Sequence, residues 1–234
     1  MPSTDIFLET GKKRVFAGAV EWPGWCRGGR DEQSALQSLL ESAPRYEHVI
    51  KNAALPFTPP RNLSAFHIIE RVEGNATTDF GAPNILLACD ALPVLETDLL
   101  RLTAIFAACW AAFDLAVQQA VGKVLRTGPR GGGRRLDAIF EHVLGSAESD
   151  LTSIGASRPK TVTENWEQRL AAFHSTAINS LAAAARGEIA HTGPRGGKRW
   201  SPRTYVRRSA WHILDHVWEI EDRVINQEDE QAAP

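Results

Sequence analysis

The spacing of apolar positions changes character along this chain. In the N-terminal part, "DIFLET" and "RVFAGAVEW" flank a "GKK" turn, and Val15, Ala17 and Ala19 alternate with Phe16, Val20 and Trp22, the two-residue period of a strand. The run breaks at "PGWCRGGR", and Asp31 stands where a helix N-cap belongs, ahead of "EQSALQSLLESAPRYEHVIKN". A further strand is predicted in "SAFHIIERVE". These elements predict a small α+β unit over residues 1–74.

Residues 75–95, "NATTDFGAPNILLACDALPVL", follow neither period, and a stretch of that length reads as a linker or as a lid folded over a site. From Glu96 the period becomes helical, with Leu99, Leu102, Phe106, Trp110, Phe113 and Val117 three and four apart. Three more helical segments are predicted near 134–151, 163–186 and 202–226, and residues 227–234 read as a disordered tail. The expected class is α+β, a strand-strand-helix unit followed by a four-helix bundle over 96–226. In an up-and-down bundle the first and third interhelix loops share one end. Those loops carry the same basic turn, "TGPRGG", at 127–132 and 192–197.

Composition narrows the classes. A net charge of -2 gives no general drive toward nucleic acid or membrane, so neither is an expected partner. No uninterrupted apolar run reaches the roughly 18 residues of a membrane span. The N-terminal residues lack the apolar core of a signal peptide, so a cytoplasmic location is expected. Cys26, Cys89 and Cys109 form no CxxC pair and read as reduced. The glycine turns lie between helices and lack the Lys-Ser/Thr ending of a P-loop, which sets nucleotide binding aside.

Histidines carry the candidate chemistry. His212 and His216 in "AWHILDHVWEI" stand four apart, on one helix face. His142 in "DAIFEHVLG" offers a third nitrogen. Counted from the predicted helix starts, His142 and His212 lie about 12 and 15 Å from one bundle end, at about 1.5 Å per residue. Glu219 reads as a further ligand, an acceptor for a histidine N–H, a general base, or the partner of Arg223. His48, His67 and His174 have no partner at ligand spacing, and His191 falls in a loop.

A histidine on the second helix of a four-helix bundle, followed far downstream by HxxxH, resembles the DinB/YfiT-like superfamily of metalloenzymes, over about residues 96–226. The resemblance implies a divalent ion held by His142, His212 and His216, and thiol transfer or isomerisation among the activities. Glu219 falls where some members carry another histidine. Separately, "KRVFAGAVEWPGWCRGGRDEQSALQSLLE" resembles the strand-strand-helix unit of HicB-like antitoxin domains.

Three imidazoles leave coordination positions open, as expected of a catalytic ion, and suit zinc, nickel, iron or copper. Either a water or a low-molecular-weight thiol as cofactor would be activated there. With both "TGPRGG" loops at one end, Arg130, Arg134 and Arg135 from the first and Arg195, Lys198 and Arg199 from the second are expected to ring the mouth of the site. Arg130 and Arg195 would hold an anionic substrate, and Tyr205 and Arg208 would line the same channel. The expected function is a metal-dependent enzyme acting on a small anionic or electrophilic molecule by thiol transfer, isomerisation or hydrolysis. A homodimer is compatible with it. The alternative is a non-catalytic interaction or stress-response protein with a structural metal and a partner-binding N-terminal unit.

Overall fold

The computed structural model of the protein describes residues 3–127, 133–160, 163 and 165–225. The chain is α+β. Strands β1 (Thr4–Thr10), β2 (Val15–Ala19) and β3 (Cys26–Gly29) precede helix α1 (Glu32–Ile50); β4 (Phe66–Glu73) and the short α2 (Ala76–Phe80) follow. The remaining helices are α3 (Glu96–Ala120), α4 (Leu136–Ser153), α5 (Trp166–Ala185) and α6 (Pro202–Arg223). The sheet order is β3-β2-β1-β4, with β4 parallel to β1 and the other pairs antiparallel. Asp31 caps α1 as expected, accepting from the Ser34 amide at 2.8 Å. Strand β3 was not foreseen, because "CRGG" has no apolar alternation. It forms by pairing with β2, and the Phe16 ring lies against Gly28.

All five residues of β2 are buried, so this central strand is covered on both faces, while alternate residues of the edge strand β4 are exposed. Ile6, Leu8, Val15, Ala17 and Ala19 join one cluster with Leu39 and Tyr46 of α1 and with side chains from α3 to α6. Sheet and helices therefore share a core. The opposite face, Phe7, Phe16 and Cys26, packs against Leu87 and Trp211.

Leu87 belongs to the segment read as a linker or lid, which is here a strap fastened at several points. The fully buried Glu9 carboxylate accepts from the Thr78 hydroxyl at 2.5 Å and from the amides of Asn84 and Ile85 at 2.9 and 3.0 Å. Buried Asp90 pairs with buried Arg207, and Arg208 donates to the Asn84 carbonyl at 2.9 Å. The strap's hydrogen bonds and ion pairs run to the sheet and to α6, and among the described residues none reaches the three histidines. Leu87, with Ala82 and Cys89 beside it, covers the Phe7–Phe16 face of the sheet, while Phe80, Leu86, Leu92 and Leu95 stay exposed.

Helix directions depart from the up-and-down order. α3 and α6 run parallel: Asp98 meets Arg203 at 2.5 Å near their starts, and Leu125 bridges Val224 past their ends. α4 opposes α6, since Asp150 accepts from Ser209 at 2.7 Å while the Arg134 carbonyl, ahead of α4, accepts from Arg223 at 2.9 Å. α5 opposes α3, with Phe173 against Trp110 at 4.9 Å and Arg186 against Glu96 at 3.4 Å. α4 and α5 are therefore parallel, as the Glu141–Arg169 pair at 2.5 Å confirms. Between the end of α4 and the start of the parallel α5 the chain has to regain the length of α4, about 27 Å for 18 residues. Twelve residues at about 3.3 Å each are enough to cover it.

Residues 128–132 of the first "TGPRGG" turn lie outside the described residues, but its flanks and the second turn lie at opposite ends of α6, which spans about 33 Å over its 22 residues. The first turn's flanks sit by Arg223, and the second leads into Trp200, whose amide donates to Ser153 at the end of α4. The shared-mouth expectation is overturned. The reason is the long return between α4 and α5, which reverses the order assumed for short turns.

Among the described residues α3 is the one helix long and apolar enough, by length and composition, to cross a membrane. Its 18-residue window has a mean hydropathy of 1.6, and half of that window is buried inside the protein.

Candidate metal centre

α6 begins sharply. Ser201 accepts from the Thr204 amide at 3.1 Å, and Pro202 takes the first helical position, where no amide hydrogen is needed. Running from this start, the helix places His212 and His216 one turn apart on the side facing α4. His142 sits two turns into α4 and, because the helices are antiparallel, meets the second half of α6. The three ligand nitrogens lie within 4.8 Å of one another. His142 Nε2 is 3.2 Å from His212 Nε2. Ring centroids are 5.1 Å apart for His142–His212, 4.9 Å for His142–His216 and 4.7 Å for His212–His216. Nitrogens bound tetrahedrally at about 2.0–2.1 Å stand about 3.3–3.4 Å apart, so the observed pair needs little movement to share an ion.

The third ring is oriented by a second carboxylate chain. His216 is buried, and its Nδ1 is 2.7 Å from Glu219 Oε2, which leaves Nε2 for the centre. Glu219 Oε1 accepts from Arg223 at 2.5 Å. Arg223 also donates to the carbonyls of Arg126 and Arg134, each at 2.9 Å. Two of the roles open for Glu219 are thus filled together: it accepts from a histidine and pairs with Arg223. Gly133 lies against the same guanidinium, where a Cβ would fall 2.5 Å from a terminal nitrogen, and its φ of 141° is one that side chains rarely adopt.

Burial favours the neutral form of His142 and His212. Desolvation, with neighbouring His216, His142, Arg134 and Arg208, pushes His212 down to about 3. Desolvation and then Arg134 lower His142. The hydrogen bond from His216 holds Glu219 below the usual carboxylate range. Neutral His142 and His212, with an ionised Glu219 nearby, are states that suit metal binding.

The remaining expected residues separate. Tyr205 is fully buried against Phe106, with ring centroids 5.4 Å apart, and lines no channel. Its aromatic body is taken up by the core between α3 and α6. Arg208 is half-buried, held by Asn84 and stacked on Trp200 at 4.6 Å. Arg195 is exposed at the far end of α6, and Arg130 lies outside the described residues. Lys198 and Arg199 share the far end with Arg195. Arg134 and Arg135 are exposed at the near end, at the start of α4. What sequence reasoning did not find is the full role of Arg223. Its one legible signal is a basic residue in the last turn of the histidine-bearing helix.

No protein-family model, curated protein or solved structure matches the chain.

Proposed function

We propose that this protein is a metal-dependent enzyme of the DinB-like class, with a divalent ion held by His142, His212 and His216 in a four-helix bundle formed by α3 to α6. The observation that carries this reading is the convergence of three imidazoles from two helices, with ligand atoms within 4.8 Å. The Glu219 contact to His216 supports it, because an acceptor behind a ligating histidine sets the tautomer and the ring direction. A bound ion would supply Lewis-acid activation of a water or thiol, with positions left open by only three protein ligands.

The chain's own residues then divide the work. Glu219 keeps the His216 proton on Nδ1 and so presents Nε2 to the centre. Arg223 holds Glu219 and ties the α3–α4 connection to it. The reaction class follows as transfer of a thiol to, isomerisation of, or hydrolysis of a small molecule. A structural metal in a non-catalytic partner-binding protein is the weaker reading, since strap and helices cover both faces of the central strands β1 and β2.

The test is elemental analysis of protein purified without a metal-affinity tag, followed by a screen of thiols and electrophiles. About one divalent ion per chain is expected. Protein that takes up no zinc, nickel or iron at stoichiometric concentration sinks the reading.

A further inference from the structure

At the end of α6 where the centre lies, residues on either side of the α3–α4 connection line an open cavity of about 640 Å³, with Lys123, Arg134, Arg135 and Arg223 among them. Its cations are not equivalent. Arg223 is committed to Glu219 and to two carbonyls. Arg135 pairs with Asp137 at 3.3 Å. Arg134 has no ion pair and no side-chain hydrogen bond among the described residues, yet its backbone is pinned through its carbonyl to Arg223. Arg134 is thus an exposed guanidinium with no acidic partner among the described residues, tethered through its backbone to the Glu219–His216 pair.

Its charge stands near the histidines, since its carbonyl accepts from the Arg223 that also holds Glu219 against His216. Beside a dication it is repulsive, because the single carboxylate at the centre, Glu219, is already balanced by Arg223. The excess positive charge calls for an anion, and the arginine fork fits the two oxygens of a carboxylate or phosphate.

We propose that this cavity is the anion subsite of the three-histidine centre, and that Arg134 holds a carboxylate or phosphate group of the substrate while the rest of the molecule reaches the ion. The assignment rests on the metal-centre reading. It narrows the substrate to small molecules that carry an oxyanion, and it replaces the pairing of Arg130 with Arg195 across one mouth.

Calorimetric titration of inorganic phosphate and, separately, succinate into metal-loaded and metal-free protein tests it, with Arg134→Ala, Arg134→Lys and Arg195→Ala as variants. One of the two anions should bind the loaded protein more tightly than the metal-free protein, and which one does so names the group recognised. Arg134→Ala should weaken that binding by about tenfold or more, Arg134→Lys by less, and Arg195→Ala should leave it unchanged. Metal content should be the same in all three variants. Metal-loaded protein that binds neither anion, or binds equally well without Arg134 or without the metal, overturns the subsite alone. Wild-type protein that retains no metal in elemental analysis overturns the centre beneath it.

Discussion

Glu219→Gln is the most informative single substitution at the centre. The carboxylate takes a hydrogen bond from His216 at 2.7 Å and one from Arg223 at 2.5 Å, so both oxygens act as acceptors toward donors that do not compete. Glutamine preserves the volume but offers one acceptor and one donor. If its oxygen faces His216, its NH₂ confronts an arginine N–H. If its NH₂ faces His216 instead, Nδ1 must become the acceptor, the proton moves to Nε2, and the ligating lone pair is blocked. Either way the ring loses the charged acceptor that raises its basicity. Loss of such a partner typically costs 10–100-fold in metal affinity, or about 1.4–2.8 kcal/mol. The assay is competition with a chromophoric chelator at pH 7.5, on metal-stripped protein reloaded with zinc. Metal-free stability should fall by only about 1 kcal/mol, because the lost Arg223 pair is partly exposed. That corresponds to a Tm lower by about 2–4 °C in a chain of this size. A zinc dissociation constant within twofold of wild type would show that Glu219 does not orient a ligand.

Other perturbations probe the rest of the structure. His212→Ala combined with His216→Ala should abolish stoichiometric metal binding while the far-ultraviolet circular dichroism stays that of a folded protein; retained metal would refute the triad. Asp90→Ala leaves the buried Arg207 charge uncompensated and should cost about 3–5 kcal/mol in urea unfolding, much of it recovered when Arg207→Met is added. A loss below about 1 kcal/mol would mean the strap is not fastened there. Asp114 sits half-buried between α3 and α5, where burial raises it from 3.8 to about 6. The folded protein therefore favours its protonated form, and the group costs stability as pH rises through 6. Asp114→Asn should stabilise by about 1 kcal/mol at pH 7.5, discounted for partial exposure, and by nearly nothing at pH 4. An equal gain at both pH values would contradict the assignment.

Helical periodicity identified α3 to α6 as elements, because their buried faces repeat at three and four whatever the direction of the chain. Direction itself is carried by connection length, and "IGASRPKTVTEN" looks like a turn when it is long enough to run back along a helix. β3 was hidden for another reason: its four residues gain their strand geometry from pairing with β2, not from an alternation of their own. The strap was hidden because its hooks are single polar groups. Glu9 in "FLET" is the visible trace, an acidic residue in a strand that becomes fully buried only because Thr78, Asn84 and Ile85 come to it.

The three histidines were found partly for a wrong geometric reason. Matching depths from one shared end assumed that α4 and α6 run in the same direction, and they do not. The match survives because His142 lies in the first half of α4 while His212 and His216 lie at the middle and in the second half of α6, so opposed helices also bring them level. From the end marked by Arg223, His142 and His216 stand about 9 and 10 Å in, at about 1.5 Å per residue. The same reversal decides what each "TGPRGG" turn can do. The flanks of the first are tied by Arg223, which also holds the Glu219 that meets His216, so Arg134 beside that turn stands near the histidines. The second, a helix length away, forms its own small turn, closed by the Gly193 amide on Gly197 at 2.8 Å, and its arginine faces solvent. Identical sequence therefore stands at two different ends of the fold, and only the flanks of the first copy lie beside the three histidines.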